Sequence, residues 1–221
     1  MSIALEIYDV FSYTIPGILY LFAFNEGLRL LGQPPVDTSQ LKDGPYLILL
    51  VLIAYLVGHL FDYISHGIWY RRFYRGDSEE RAYSSFMASS GLKPDFKPKQ
   101  WSMLLSVIRH NNMEVCNTID KNKATTIMLR NVSFALFLLT IVLAIYAFIY
   151  GFPPVFLLGA ITTLVGSLVS LRRGDSFNQE FYRLIYQQPL IYGISLKEML
   201  DSDRSKITKD EKSTSGMAKR G

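Results

Sequence analysis

Residues 132–150 read VSFALFLLTIVLAIYAFIY, a run of nineteen residues without a charge. A helix needs about 20 apolar residues to cross the hydrocarbon core of a bilayer, so this stretch predicts a membrane span. A second uncharged stretch, of seventeen residues, covers 155–171 and follows the short segment Gly151-Phe-Pro-Pro154. Together the two stretches predict a hairpin of membrane helices joined by a tight turn.

Two further apolar blocks precede this hairpin. The chain is 49% hydrophobic and only 19% charged, whereas a soluble domain carries about 25% charged residues. One block covers residues 10–31 and the other covers 46–72, and each reaches the length of a span if a few polar residues are admitted. The predicted fold is therefore all-α: a polytopic integral membrane protein with four transmembrane helices and a small helical cytoplasmic part.

Lys and Arg are distributed unevenly around the four predicted spans. The segment between the first two spans holds two of them, whereas residues 70–130 and 172–221 hold 21 of the 23. Cytoplasmic flanks of membrane helices collect basic residues, so we expect both termini in the cytoplasm. Since these basic residues flank spans, the net charge of +4 is attributed to topology, and nucleic acid is not an expected partner.

The predicted layout has five segments. Residues 1–72 hold the first two transmembrane helices with their outer loop, and 73–130 form a cytoplasmic helical segment. The transmembrane hairpin covers 131–172, a cytoplasmic amphipathic helix lies within 173–200, and 201–221 is a polar tail that we expect to be disordered.

Turn chemistry divides the cytoplasmic segment into helices. Acidic residues at 77–80 favour a helix start, and that helix is expected to end near Gly91. Two prolines make residues 92–99 a loop. A second helix is predicted over 100–111, and a third stretch, from Glu114 onward, should lead directly into the third span.

The most informative polar residues lie near the end of the second span. His59, Asp62 and His66 are spaced i, i+3 and i+7, so they are predicted to share one helical face. Ionisable residues inside a membrane are costly and indicate a functional site. Arg130, at the start of the third span, should lie at a similar depth and is the predicted ionic partner of Asp62.

This polar face has two interpretations. In the first, Asp62 pairs with Arg130 and the face is a polar seam between helices. In the alternative, His59, Asp62 and His66 are ligands of a metal, since His and Asp are ordinary ligands of zinc and iron. The chain holds only three histidines, which is fewer than a multi-histidine di-iron site requires.

Two helix patterns complete the candidate sites. Pro16 and Gly17 interrupt the first span and predict a kink, because proline removes a backbone hydrogen bond. The fourth span carries small residues at a spacing that lets helices approach closely, within the monomer or between copies. These small residues are Gly159, Thr162, Gly166 and Ser170.

Four short motifs lie in or beside the four predicted spans. They are Asp9-x-Phe-Ser-Tyr-x-Ile-Pro-Gly17, Ala54-Tyr-Leu-Val-Gly-His59, Met128-Leu-Arg-Asn131 before the third span and Phe177-x-x-x-Phe-Tyr-Arg183 after the fourth. They resemble a broad group of small uncharacterised prokaryotic four-span membrane proteins. The resemblance implies the four-span topology and no particular activity. In layout the chain is also similar to membrane subunits of bacterial anti-phage systems.

The expected function follows from these features. The sequence contains no phosphate-binding loop, no Ser-His-Asp pattern and no paired cysteines, so a non-enzymatic protein without a cofactor is favoured. The prediction is an oligomeric inner-membrane protein, a channel-like or membrane-perturbing effector. A cytoplasmic protein or small-molecule ligand would control it, and its other partners are the lipid bilayer and further copies of the chain. The alternatives are a metal-dependent membrane enzyme and a passive membrane anchor for a partner protein.

Overall fold

The computed structural model describes residues 3–34, 44–74, 78–90 and 97–191, and in these ranges the chain is helical with no strand. After α2 the chain continues through a wider, π-helical turn, Ser65–Tyr70, and a short 3-10 turn, Pro98–Gln100, precedes α5. The helices are α1 (Ile3–Leu30), α2 (Gly44–Ile64), α3 (Arg71–Phe73), α4 (Ser78–Ser90), α5 (Trp101–Asn111), α6 (Met113–Ile149) and α7 (Pro154–Ile191).

Helices α6 and α7 are longer than a membrane span. The prediction that the stretch from Glu114 leads directly into the third span is confirmed, because α6 is one helix of 37 residues. The amphipathic helix expected within 173–200 is, as far as Ile191, the continuation of α7, which has 38 residues. No proline interrupts the residues between 155 and 188, so the helix continues past Arg172 and Arg173.

Within the part of the chain that the structure describes, three helices are long and apolar enough to cross a membrane. They are α6, α7 and the continuous helix Gly44–Phe73, which consists of α2, the π-helical turn and α3. Three such helices indicate a multi-pass membrane protein. Helix α1 is not among the three, and its apolar sequence ends before Asn25 and Glu26.

Exposed apolar side chains are confined to certain parts of the helices. Large apolar residues exposed on the surface occur within 8–31 and 46–73, at Met113, and again within 141–169. Among the described residues of 74–112 and 170–188, no large apolar side chain is exposed. A soluble protein rarely exposes contiguous apolar patches of this extent, whereas lipid chains cover them without cost. The distribution therefore fits the three candidate spans.

Helices α1 and α2 pack with their backbones in close approach. Gly17 faces the carbonyl of Ala54, and Gly58 faces the carbonyl of Tyr13; a Cβ atom at either glycine would collide with that carbonyl oxygen. Pro16 is fully buried beside this contact, and α1 continues on both sides of it. The Pro16–Gly17 pair predicted from the sequence thus lies at the α1–α2 interface.

The chain divides into two compact units. The first unit comprises Met1–Ser78 and Asp120–Glu180, and it contains the apolar parts of all the long helices. The second comprises Glu79–Ile119 and Phe181–Gly221, so α6 and α7 contribute residues to both. The second unit has an apolar core of its own, formed by Phe86, Leu104, Ile108, Ile119, Phe181, Ile185 and Tyr186.

Helices α4 and α5 match their predicted positions in the second unit. The helix expected over 77–91 is α4, and the one expected over 100–111 is α5. The i, i+4 pair Leu104 and Ile108 on α5 is buried, as its helical spacing predicts. Most of the predicted loop at 92–99 and the whole predicted tail at 201–221 lie outside the described residues.

Candidate functional site

The candidate site lies where α2 passes into the π-helical turn. A π-helical turn holds more residues than an α-helical one, and such turns recur at functional sites. Here the turn carries Ser65, Trp69 and Tyr70, which are all buried. Asp62 precedes it by three residues, so the polar residues near this end of the helix gather against α6.

Asp62 and Arg130 form an ion pair between α2 and α6. The Arg130 Nη2 atom lies 2.5 Å from the Asp62 Oδ1 atom, which is the short distance of a charge-assisted hydrogen bond. The Arg130 side chain is 9% exposed and the Asp62 side chain is 24% exposed. The structure therefore contains the predicted pairing, and it is largely withdrawn from the surface.

His66 is the second partner of Arg130. The Arg130 Nη1 atom lies 3.1 Å from the His66 Nδ1 atom. Because a guanidinium group has only donors, His66 Nδ1 must be the acceptor in this bond, and the imidazole hydrogen is assigned to Nε2. Asp62 and His66 thus hold the two terminal nitrogens of one guanidinium, so the side chain of Arg130 is fixed from two points on one helix.

Neutral side chains complete the arrangement around Asp62. The Asn131 Nδ2 atom donates to Asp62 Oδ1 over 3.0 Å, and the Ser65 hydroxyl donates to Asn131 Oδ1. The Tyr20 hydroxyl of α1 donates to the backbone carbonyl of Asn131 over 2.9 Å. These bonds connect three helices, and we call the set Asp62, Ser65, His66, Arg130 and Asn131 the Asp62–Arg130 network.

Charged side chains outside the network also act on it. Arg71 and Lys123 are among the charges that act on His66, beside Arg130 and Asp62. Within the described residues, the buried Arg130 Nε atom has no hydrogen-bond acceptor. The network therefore contains one buried donor without an acceptor, while the charge of Arg130 is paired with that of Asp62.

His59 does not join the network. Its ring lies against α1 and its own helix, with centroids 4.7 Å from the Tyr13 ring and 6.2 Å from the Tyr55 ring. His59 lies two turns before His66 on nearly the same face of the helix, so the two differ in their position along the helix rather than in direction. At the level of His59 the neighbouring ring is Tyr13 of α1, whereas at the level of His66 it is Arg130 of α6 that bonds.

The alternative metal site is not assembled in the structure. In the described ranges, no group of three His, Cys, Asp or Glu side chains is placed to hold a metal ion. His59 packs on Tyr13, and Asp62 and His66 both bond to Arg130. A guanidinium bound between two intended ligands repels a cation, so the three residues do not form a metal site in this arrangement.

Sequence reasoning missed three members of the arrangement: Tyr20, Ser65 and Asn131. Each had a detectable signal, since Ser65 is spaced i+3 from Asp62 and Asn131 directly follows Arg130. Neutral polar residues in apolar helices are common, however, and their spacing does not reveal which helix they face. Tyr20 in particular depends on how α1 packs, which the sequence pattern leaves open.

A second polar cluster lies near the start of α4. The Tyr70 hydroxyl lies 2.6 Å from the Ser78 Oγ atom and donates to the Asp175 Oδ1 atom, also over 2.6 Å. The Gln179 side chain donates to the other oxygen of Asp175 over 2.8 Å. Asp175 is buried, so these neutral donors replace the water that its charge would otherwise require. The cluster fixes the π-helical turn to α7.

The small residues of α7 pack within the chain against α6. A Cβ atom at Gly159 or at Gly166 would lie 3.3 Å from a leucine side chain of α6, so both glycines face that helix. Ser170 is half-buried and Thr162 is exposed. The hydroxyl side chains that bond to α6 are those of Thr163 and Ser167, at the positions next to the predicted Thr162 and Gly166.

Comparison with known proteins finds no matching protein-family model, curated protein or solved structure. The function is therefore argued from the geometry of the described residues.

Proposed function

We propose that the chain has four spans, with both termini in the cytoplasm of a prokaryotic cell and the spans in its inner membrane. The fourth span would be α1. Its exposed face carries large apolar residues at i, i+4, i+7 and i+11, and lipid would cover them. These residues are Phe11, Ile15, Ile18 and Phe22. Its opposite face donates hydrogen bonds from Ser12 and Tyr20 to backbone carbonyls of α6.

We further propose that the protein is a membrane-permeability effector that the Asp62–Arg130 ion pair holds in a closed arrangement. The observation that carries this proposal is the burial of the pair between two helices of a membrane bundle. A charge within a membrane helix is costly unless it is paired. Separating α2 from α6 would leave both charges without partners, so the helices either remain together or move to an arrangement in which water reaches the charges.

The controlling signal would come from the cytoplasm. Two observations support this part of the proposal: the second unit has its own apolar core, and α6 and α7 contribute residues to both units. A protein or small molecule that binds the second unit would act on the same helices that carry Arg130 and Asp175. We propose a homo-oligomer as the working form, since a single four-span bundle leaves little room for a pore.

The test is release of a dye or an ion from liposomes that contain the purified full-length protein. We expect the Asp62→Asn variant to release the contents several-fold faster than the unchanged protein. The double variant Asp62→Arg with Arg130→Asp should restore slow release. Glu26→Gln is the matched control, because it removes the carboxylate of an ion pair whose arginine, Arg29, is half exposed. It should behave like the unchanged protein.

Two readings of this assay contradict the proposal. If the Asp62→Asn variant remains folded, judged by its melting temperature and its elution profile, and yet releases nothing, the ion pair closes no pathway. In that case the passive anchor is the remaining function. If Glu26→Gln leaks as much as Asp62→Asn, the leak reflects general damage to the bundle rather than the loss of this pair.

A further inference from the structure

His66 is the exposed member of the Asp62–Arg130 network. Its Nδ1 atom accepts a hydrogen bond from Arg130 over 3.1 Å, although the Arg130 side chain is only 9% exposed. Histidine is the side chain whose ordinary charge change falls between about pH 5 and 8. The network therefore includes one group that water reaches and whose charge can change near neutral pH.

The bond to Arg130 requires the neutral form of His66. A guanidinium group only donates, so the Nδ1 atom must offer a lone pair. A proton on Nδ1 turns this acceptor into a donor and places a second positive charge against the guanidinium. Among the described residues, Asp62 is the other partner of the two terminal nitrogens, and the Arg130 Nε atom has no acceptor. Protonation of His66 thus leaves Arg130 held from one point instead of two.

A protonated His66 also has an alternative partner on its own helix. Asp62 precedes it by four residues, and at this spacing an acidic and a basic side chain attract each other. Both side chains bond to one guanidinium, so the carboxylate and the ring lie on the same side of the helix. The carboxylate can therefore pair with α6 while His66 is neutral, or within its own helix once His66 is charged.

Other charged and titratable groups surround the His66 ring. Lys123 of α6 and Arg71 of the same helix act on it electrostatically. The Tyr70 ring stacks with it at 6.0 Å between centroids, and the Tyr70 hydroxyl donates to Asp175 of α7. These groups influence the pH at which the ring takes up a proton, whereas the exchange of partners involves the network alone.

We propose that His66 is a proton sensor that controls the contact between α2 and α6. One proton from water binds the Nδ1 atom, the Asp62 carboxylate passes from Arg130 to the imidazolium, and the two helices separate at this end. The proposal goes beyond the permeability control described above, because it names a signal and concerns only the contact between two helices. It holds whether or not the protein conducts.

Trp69 reports on the same contact. It follows His66 by three residues, is 8% exposed, donates to the Ser133 hydroxyl over 2.9 Å and stacks on Phe137 with centroids 4.1 Å apart. The chain has two tryptophans, and the other, Trp101, lies on α5 in the second unit. Trp101→Phe therefore leaves Trp69 as the single tryptophan. Separation of the helices would place its indole in more polar surroundings and move its emission to longer wavelength.

The experiment is a pH titration of Trp69 emission in the full-length Trp101→Phe protein in neutral detergent, from about pH 8 to about pH 5. We expect the emission maximum to move to longer wavelength as the pH falls and to return when the pH is raised. His66→Asn keeps an acceptor near the position of Nδ1 and cannot take up the proton, so the shift should be lost. His59→Asn is the matched control, because this histidine packs on Tyr13, and the shift should remain.

Three results overturn the proton sensor. They are a constant emission maximum over the whole pH range, a shift that persists in His66→Asn, and an equal loss of the shift in both histidine variants. If the melting temperature shows that His66→Asn does not fold, His66→Gln supplies an acceptor on a longer side chain and takes its place.

The exchange of partners is tested separately with Asp62→Asn in the same Trp101→Phe background. Without a carboxylate to exchange, this variant should show the long-wavelength maximum already at about pH 8 and should shift little further on acidification. An Asp62→Asn variant that titrates like the protein with Asp62 overturns the exchange. Since the readout is emission and not release, a protein that never leaks leaves this test intact.

Discussion

Helix α6 packs against α7 and against α2 by different chemistry. Towards α7 it uses small residues and hydroxyl pairs: Thr140 bonds to Thr163 over 2.9 Å, and Ser133 lies 3.3 Å from Ser167. Towards α2 it uses a buried charge, Arg130, held by Asp62 and His66. Hydroxyl groups of a separated helix can bond to their own backbone, whereas a charge cannot be satisfied in that way. The α6–α7 interface is therefore a scaffold, whereas separating α6 from α2 would cost a large free energy.

The difference between the two interfaces of α6 is tested most strongly by removing the Asp62 carboxylate. Asp62→Ala should lower the free energy of unfolding by about 3–5 kcal/mol, because it leaves the buried Arg130 without its counter-charge. Unfolding in mixed micelles, followed by circular dichroism, measures the loss. The double variant Asp62→Arg with Arg130→Asp should recover part of it. A double variant as unstable as Asp62→Ala would show that the pair is not a direct interaction.

A smaller but clear effect is expected where α1 meets α2. Gly58→Val should destabilise the bundle by about 1–3 kcal/mol, since its side chain would collide with the Tyr13 carbonyl and force the helices apart. Gly27→Val is the matched control in α1, because nothing lies within 4 Å of a Cβ atom there. If both variants lose the same stability, the loss comes from helix propensity and the close approach of the backbones contributes nothing.

The smallest effect is expected at the scaffold interface. Thr163→Val keeps the shape of the side chain and removes its bond to Thr140, so the loss should be about 0.6 kcal/mol, the mean value for such bonds in membranes. Thr162→Val, on the exposed face of the same helix, should be neutral. A loss at Thr163 comparable to that at Asp62 would remove the distinction between scaffold and charged interface.

The sequence predicted the helices better than their contacts. The uncharged stretches at 132–150 and 155–171 clearly predict membrane helices, because each reaches the length that a span requires. The pairing of Asp62 with Arg130 was also predictable, since two opposite charges at similar depth in apolar helices need each other. The position of α1 as a span remains a prediction, because α1 is not among the three candidate membrane helices.

The direction in which side chains face was harder to predict. His59 shares the helical spacing of Asp62 and His66, yet it contacts Tyr13 of α1, because neighbouring helices divide a single face between them. On α7, Thr163 and not Thr162 bonds to α6, a difference of one residue that small-residue spacing does not resolve. Both errors arise because a helical pattern gives relative angles along one helix and no information on where the next helix stands.

The π-helical turn Ser65–Tyr70 acts as a one-residue insertion in the register of its helix. If the same residues adopted an ordinary α-helix with no deletion, the end of the turn and everything after it would be rotated by about 100°. Trp69 would turn away from the Ser133 hydroxyl, and Tyr70 would turn away from Ser78 and Asp175. Asp62, before the turn, would keep its direction. The directions of Trp69 and Tyr70 therefore depend on the π-helical form of this segment as well as on its composition.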